Sequence, residues 1–313
     1  MTRSLTVQTS TAPAGTPRAW RDSRVLVTGA TGFIGSHLVR RLTWLGAQVH
    51  AVSRQPQEDD SLTWHAADLG DPEATTELIR STCPDIVFHL ASAVTGVRDV
   101  KLVRPTLQSN LASAVNLLTA VVGRQTRVVL AGSIEEPQEA EPVPPSPYAV
   151  AKWAATGYAR MFHRLWDVPV TVLRVAMVYG PGQPDTEKLL PYVTLSLLRG
   201  ERPKLSSGRR LVDWVYVDDV VDAFLLAARA ERAGGQAIDI GSGIQTSIRD
   251  IVELVEQAVG GRARPQFGAL ADRPLDRSGL ADTKAAADLL GWQATTPLQV
   301  GIMRTVAWYA GTL

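Results

Sequence analysis

The chain reads as an α/β protein built on a doubly wound parallel sheet, and two features of its 313 residues predict this. Short apolar runs rich in valine and isoleucine alternate with longer segments of helical periodicity: RVLVTG at 24–29, QVHAVS at 48–53, DIVFHLAS at 85–92, RVVLAGS at 127–133 and VTVLRVAMV at 170–178. Strands that are apolar on both faces need helices above and below them, which is the layering of a parallel sheet wound from βαβ units. The first of these runs also leads directly into a glycine-rich turn.

In VLVTGATGFIGSHLVRRL, Gly29, Gly32 and Gly35 follow a strand and open a helix. Glycine suits such a turn because the backbone must bend tightly and approach a pyrophosphate, while the helix N-terminus offers unpaired N–H groups and partial positive charge. The strand before, the helix after and the surrounding βαβ rhythm predict a dinucleotide site, with Thr31, Phe33 and Ile34 among its contacts. The second run ends at Ser53 and Arg54, where an acidic residue would accept hydrogen bonds from the ribose hydroxyls of NAD. A serine and an arginine can instead pair with a 2′-phosphate, so the expected cofactor is NADP(H); a solvated surface arginine is the alternative. Asp68 and Leu69 in HAADLGD fit an adenine-contacting loop, although an aspartate there could equally cap a helix.

Later segments are punctuated by Pro and Gly from GPGQPDTEKLL onward, with strand character returning at LVDWVYV and QAIDIGS. The expected organisation is a disordered tail at 1–22, a Rossmann domain at 23–178 rejoined by about 211–242, and a smaller lobe from 179–210 and 243–313. The tail has no apolar segment of secretory type; it is arginine-bearing and acid-poor like a transit peptide, but reads more simply as an extension of a cytoplasmic protein. Lysine and arginine nearly balance aspartate and glutamate at net charge +1, which argues against a nucleic-acid partner, and no run is long enough to span a membrane. One cysteine, Cys83, and five histidines without ligand spacing predict neither an internal disulfide nor a structural metal.

SPYAVAK places Tyr148 and Lys152 four residues apart, on one face of a helix that Ser146 caps and Pro147 opens. A neighbouring ammonium lowers the pKa of a phenol and makes it an acid–base catalyst, and Ser133, at the end of the preceding strand, could hold a substrate oxygen beside it.

With these motifs in order, and with VFHLAS, SNLASAVNLL, RVAMVYGPGQ, VDWVYVDDV, IDIGSG and LADTKAAADLLGW, residues 23–313 resemble the extended short-chain dehydrogenase/reductases of the nucleotide-sugar epimerase/dehydratase type. The resemblance implies that Leu90, Ala91 and Ser92 line the cofactor and that Asn110 supports the catalytic lysine through a water. It also implies that Ser133, Tyr148 and Lys152 perform the chemistry. Similar dehydratases carry Thr-Asp-Glu where this chain has Ser133, Ile134 and Glu135, so an acid needed for water elimination is missing, and Glu135 is left as a substrate contact or a solvated surface group. The family's diphosphate ligands, an asparagine and an arginine, are replaced by Met177 and Val212; Arg210, beside Arg209, and Arg273 could rebuild the anion site, with Thr95 a further substrate contact. The expected activity is NADPH-dependent 4-ketoreduction of a nucleotide-linked, dTDP-type 4-keto-6-deoxyhexose. A nucleotide-sugar 4-epimerase is the alternative, and a non-catalytic NADP-binding regulator a third reading. The helix YAVAKWAATGYARMFHRLW is apolar around most of its girth, with Trp153, Tyr158, Met161 and Phe162 unable to share one face, so a homodimer through a four-helix bundle with residues 106–123 is expected.

Overall fold

The computed structural model describes residues 20–57, 61–137, 143–272 and 279–313. Its centre is a seven-stranded, wholly parallel sheet in the order β3-β2-β1-β4-β5-β6-β9, as the apolar runs predict. The strands are β1 (Arg24–Thr28), β2 (Gln48–Ser53), β3 (Thr63–Ala66), β4 (Ile86–His89), β5 (Arg127–Ser133), β6 (Val170–Val175) and β9 (Ala237–Ile240).

The pleat explains why these runs are apolar throughout. Val25 and Val27 of β1, with Ile86 and Phe88 of β4, enter one core layer; Leu26 and Val87, between them, enter the other. The first layer is closed by α1 (Phe33–Trp44), α7 (Val217–Ala227) and α9 (Lys284–Leu290). The second is closed by α2 (Pro72–Thr82), α4 (Ser113–Ala120) and α5 (Pro147–Trp166), with α3 (Val103–Thr106) and a π-helical segment (Leu107–Ala112) leading into α4.

A smaller three-stranded sheet sits beside this frame. β7 (Met177–Tyr179) runs parallel to β8 (Leu211–Tyr216), and β10 (Gln245–Ser247) pairs antiparallel on the other side. Helices α6 (Leu189–Leu198), α8 (Ile248–Val259) and α10 (Leu298–Ala310) close a third core around Val193, Trp214 and Val255. The run VTVLRVAMV is therefore two strands rather than one. Ala176 still donates to Ile240 O at 2.8 Å, and the next residue leaves for the small sheet. The stretch 211–242 divides likewise: Leu211–Tyr216 belongs to the small sheet, while Val217 onward returns to the large one.

The expected disordered tail is too long by three residues. Trp20 is fully buried, its ring 6.2 Å from that of Phe88 and 4.5 Å from the guanidinium of Arg229. Burying an indole against the sheet outweighs the entropy of ordering that end of the chain. Residues 1–19 lie outside the described ones. Among the described residues no helix is long and apolar enough to cross a membrane, and no group of three or more potential ligands could hold a metal.

Candidate active site

The carboxyl ends of β1, β4, β5 and β6 share one edge of the sheet, and the strand order reverses between β1 and β4, the place where open α/β sheets bind ligands. The glycine turn lies there. Gly29 has φ +68°, and a Cβ on it would stand 2.7 Å from Ala91 N, so the turn is backed directly by the segment after β4. A Cβ on Gly35 would overlap Gly29 O, which lets α1 start immediately against the turn. Gly32, the cap of α1, makes no side-chain capping bond, so the first-turn N–H groups face outward as anion donors. Such a cradle, which a single methyl would fill, fits a dinucleotide pyrophosphate. Thr31 is exposed and Phe33 and Ile34 are half-buried at the mouth of α1.

Ser53 ends β2 beside this turn, and its hydroxyl accepts from Gln55 N at 3.2 Å. Arg54 is exposed next to it. Asp68 is not a helix cap: its carboxylate accepts from Gly70 N in an Asx turn, and Asp71 caps α2 through Glu73 N and Ala74 N. Leu69 is buried and its carbonyl accepts from Asn116. After β4, Leu90 N and Ala91 N bond to the carbonyl and hydroxyl of Thr28, whose Oγ1 also contacts His89 Nδ1 at 2.9 Å. His89 is fully buried, and desolvation, helped by the Lys152 charge, pushes its pKa down to about 3, so it serves as a neutral hydrogen-bonded strut. Ser92 Oγ, in the segment after β4, is buried without a hydrogen-bond partner.

Asn110 sits in the π-helical segment, 2 % exposed. Its amide clasps Ala93 on both sides, accepting from Ala93 N at 2.7 Å and donating to Ala93 O at 3.0 Å. In the structure Asn110 thus holds the loop at 91–99 directly. Thr95 lies in that loop, its hydroxyl accepting from Val97 N.

Ser133 ends β5, and α5 begins as expected, with Ser146 Oγ capping Ala149 N and Pro147 in the first turn. Tyr148, Lys152 and Thr156 form a stripe along the inner face of α5, one turn apart. Lys152 is 4 % exposed and donates to Ala131 O at 2.7 Å; burial pushes its pKa down to about 8, against the opposing charge of Glu136. Its ammonium is 5.8 Å from the centre of the Tyr148 ring. The expected lowering of the phenol is not what this arrangement gives. Desolvation and then the Glu135 carboxylate push Tyr148 well up, against a hydrogen bond with Ser133, while the lysine ammonium donates to the Ala131 carbonyl. Glu135 is half-buried rather than fully solvated, and its N–H donates to Ser133 Oγ at 3.2 Å.

Of the residues expected on the substrate side, Met177, Val212 and Arg210 lie on or beside the small sheet. Met177 is opposite Trp214 in the β7–β8 register, Val212 is buried opposite Thr246, and half-buried Arg210 precedes β8, its carbonyl accepting from Ile248 N. Arg273 lies outside the described residues. The lobe meets this edge of the sheet where Ile134 packs against Gly279 and where Lys188 Nζ donates to Val94 O at 3.3 Å.

Sequence reasoning missed Glu136, which is 4 % exposed beneath Ser133. The signal was Gly132, since a glycine inside a buried strand marks a close approach. Here a Cβ would stand 2.6 Å from Glu136 Oε1.

Residues 25–241 match the model of the NAD-dependent epimerase/dehydratase family. The chain is 33% identical over 310 residues to UDP-glucose 4-epimerase of Mycolicibacterium smegmatis, covering 91% of this chain and 98% of that protein. It is 31% identical over 316 residues to dTDP-glucose 4,6-dehydratase of Actinoplanes sp., covering 91% and 97%. Among solved structures, UDP-glucose 4-epimerase of Thermotoga maritima with UDP-glucose superposes with TM-score 0.84 at 29% identity, over 92% of this chain and 99% of the other. MoeE5 in complex with UDP-glucose and NAD gives 0.81 at 34% identity, with the same coverage.

Proposed function

The chain belongs to the NAD-dependent epimerase/dehydratase family, and from that premise we propose that it is a nucleotide-sugar 4-epimerase, inverting the C4 carbinol of a nucleotide-linked hexose by oxidation and re-reduction. The observation that carries this reading is the composition of the catalytic edge. Ser133, Tyr148 and Lys152 supply a proton relay for alcohol–ketone exchange, while aliphatic Ile134, packed on Gly279, stands where elimination of water would need an acid. The likeness to UDP-glucose 4-epimerases over nearly their whole length supports the same class.

A bound nicotinamide dinucleotide would supply the hydride acceptor and donor, held by the Gly29–Gly35 turn, Ser92 and the Leu90–Ala91 backbone. Tyr148 exchanges a proton with the C4 oxygen, and the Ser133 hydroxyl orients that oxygen. Burial keeps the phenol protonated, ready to donate to a ketone. For the opposite step the charge of Lys152 must stabilise the phenolate. Glu135 is a further contact for the sugar, and Met177, Arg210 and Arg273 are assigned to the nucleotide–sugar side, with Thr95 at the loop edge. The exposed face of Val150, Trp153 and Tyr158 on α5, beside exposed Val103 and Leu107, supports a homodimer through these helices; Phe162 faces the core instead.

One observation favours a second reading. Ser53 and exposed Arg54 at the end of β2 suit NADP(H), and a dissociable NADPH is the reductant of a 4-ketoreductase acting on a dTDP-linked 4-keto-6-deoxyhexose. Incubation with UDP- and dTDP-hexoses, with products resolved by NMR and reduced nicotinamide followed by absorbance, separates the two. Interconversion of C4 epimers without net change in absorbance is the expected result. Stoichiometric NADPH consumption on a 4-ketosugar, with no epimer formed, would overturn epimerisation in favour of reduction.

A further inference from the structure

Glu136 is buried, charged by nature and unused by the chemistry above. It follows Ser133 by three residues, in the turn where Glu136 N donates to Ser133 O at 3.1 Å. Its carboxyl folds back under the end of β5: Oε1 accepts from Ser133 N at 2.8 Å, and Oε2 accepts from Thr156 Oγ1 at 2.8 Å. Thr156 lies one turn beyond Lys152 on the stripe that Tyr148 begins, so the carboxyl closes the far end of the catalytic row. Gly132 makes the room, since a Cβ there would also stand 2.9 Å from Val172 Cγ1.

A buried carboxyl costs several kcal/mol unless hydrogen bonds and opposite charge compensate it. Both oxygens are bonded here, and two cations face the group from different elements: Lys152 on α5 and Arg174 on β6, opposite Gly132 in the register. Arg174 is itself paired to Asp239 of β9 at 2.6 Å, which commits it elsewhere. Glu135 and Tyr148 complete the titratable surroundings. Burial raises the Glu136 carboxyl above its ordinary value while these bonds and charges pull it back, and its charge is what opposes desolvation at Lys152.

We propose that Glu136 is a positioning residue of the active site, acting through Ser133, whose backbone it holds, and through Lys152, for which it is the buried counter-charge. The first action fixes the strand end so that the Ser133 hydroxyl stays beside Tyr148. The second opposes the loss of the lysine's proton that burial favours. The inference rests on the reading of Ser133, Tyr148 and Lys152 as the catalytic set.

The test is Glu136→Gln, which keeps an acceptor for Ser133 N and removes the charge. With a nucleotide sugar as substrate, kcat should fall by about tenfold with KM within about twofold, and the alkaline limb of the rate profile should move to lower pH by about one unit. A 13C-lysine NMR titration, with the resonance assigned by Lys152→Arg, should show the Lys152 midpoint falling equally. That readout needs no turnover, so a protein inactive on every sugar would refute the catalytic reading while leaving this one decided. Glu136→Asp should recover part of both effects. Thr156→Val, which removes one bond and keeps the charge, should shift both measures in the same direction by less. A folded Glu136→Gln protein with the wild-type rate profile and Lys152 midpoint overturns the proposal; if Glu136→Gln does not fold, an unchanged Thr156→Val protein does so.

Discussion

Replacing Gly35 by alanine tests whether the turn after β1 is a built phosphate cradle. The added methyl would overlap Gly29 O and stand 2.9 Å from Gly29 C and 3.1 Å from Ala30 Cα, all backbone atoms that no rotamer change can move. Gly29 cannot retreat, because Ala91 N and Leu90 C lie 2.7 and 2.8 Å from where its own Cβ would be. Helix α1 must therefore move outward, taking its first-turn N–H groups away from the bound phosphates. Overpacking of this kind costs about 1–3 kcal/mol, and the rigid surroundings put Gly35→Ala near the upper end, at ~3 kcal/mol. Gly32→Ala meets only Gly29 O at 3.1 Å and should cost about a third as much. Gly157→Ala, in the interior of α5 with nothing within 4 Å, should stabilise by about 0.8 kcal/mol through helix propensity. Urea unfolding of the three variants gives the stabilities. Fluorescence titration with NADH and NADPH should show Gly35→Ala binding each at least about tenfold more weakly, the effect of ~1.4 kcal/mol at the site. A Gly35→Ala protein with wild-type unfolding and wild-type cofactor affinity would refute the argument from the cradle.

Other expectations follow from single groups. Trp20→Ala should destabilise by about 3–5 kcal/mol in urea unfolding, because it empties a fully buried site between Phe88 and Arg229. Lys152 has a folded pKa of about 8, below its ordinary 10.5, so the unfolded chain binds the extra proton between those values. Stability should then rise with pH across that window, and at pH 7 the full cost of burial, ~3 kcal/mol, is present. Lys152→Met should remove that cost, but it also loses the bond to Ala131 O and leaves the buried Glu136 carboxyl without its counter-charge, so the protein should gain no stability at pH 7 and be catalytically dead, as melting and activity assays would show. Tyr148→Phe should abolish turnover and leave cofactor affinity unchanged in the same titration. Arg54→Asp should reverse any preference of NADPH over NADH; equal ratios before and after would assign Arg54 to solvent.

The glycine turn and the helix carrying Tyr148 and Lys152 were legible because their requirements are local. A glycine triplet between an apolar strand and a helix specifies backbone approach, and Ser146-Pro147 ahead of Tyr148 and Lys152 specifies both a helix start and the face its side chains share. What escaped depends on partners distant in sequence. Trp20 is ordered by Phe88 and Arg229, and nothing within its own Ala- and Pro-rich segment announces them. The departure of β7 from the main sheet follows from Ile240 capping β6 through Ala176, a contact across more than sixty residues of chain.

Glu136 was obscured by its neighbours. In a run as acidic as EEPQEAE every glutamate looks solvated, yet Glu135 is half-buried and Glu136 folds beneath Ser133. The difference is made by Gly132 and Thr156, one on a strand and the other on a helix, which only the fold brings to the same carboxyl. The substrate side is obscured for a related reason. Pyrophosphate is bound largely by main chain, so a glycine pattern suffices to mark it, whereas the side chains proposed for the sugar and base, Met177, Arg210 and those of the loop at 91–99, take their mutual placement from the register of β7 on β8 and from the Lys188–Val94 contact. Met177 and Val212 stand where similar proteins carry diphosphate ligands, and the pairing of β7, β8 and β10 accommodates both. A phosphate-binding turn can consequently be inferred from this chain more finely than the side chains that would choose a sugar.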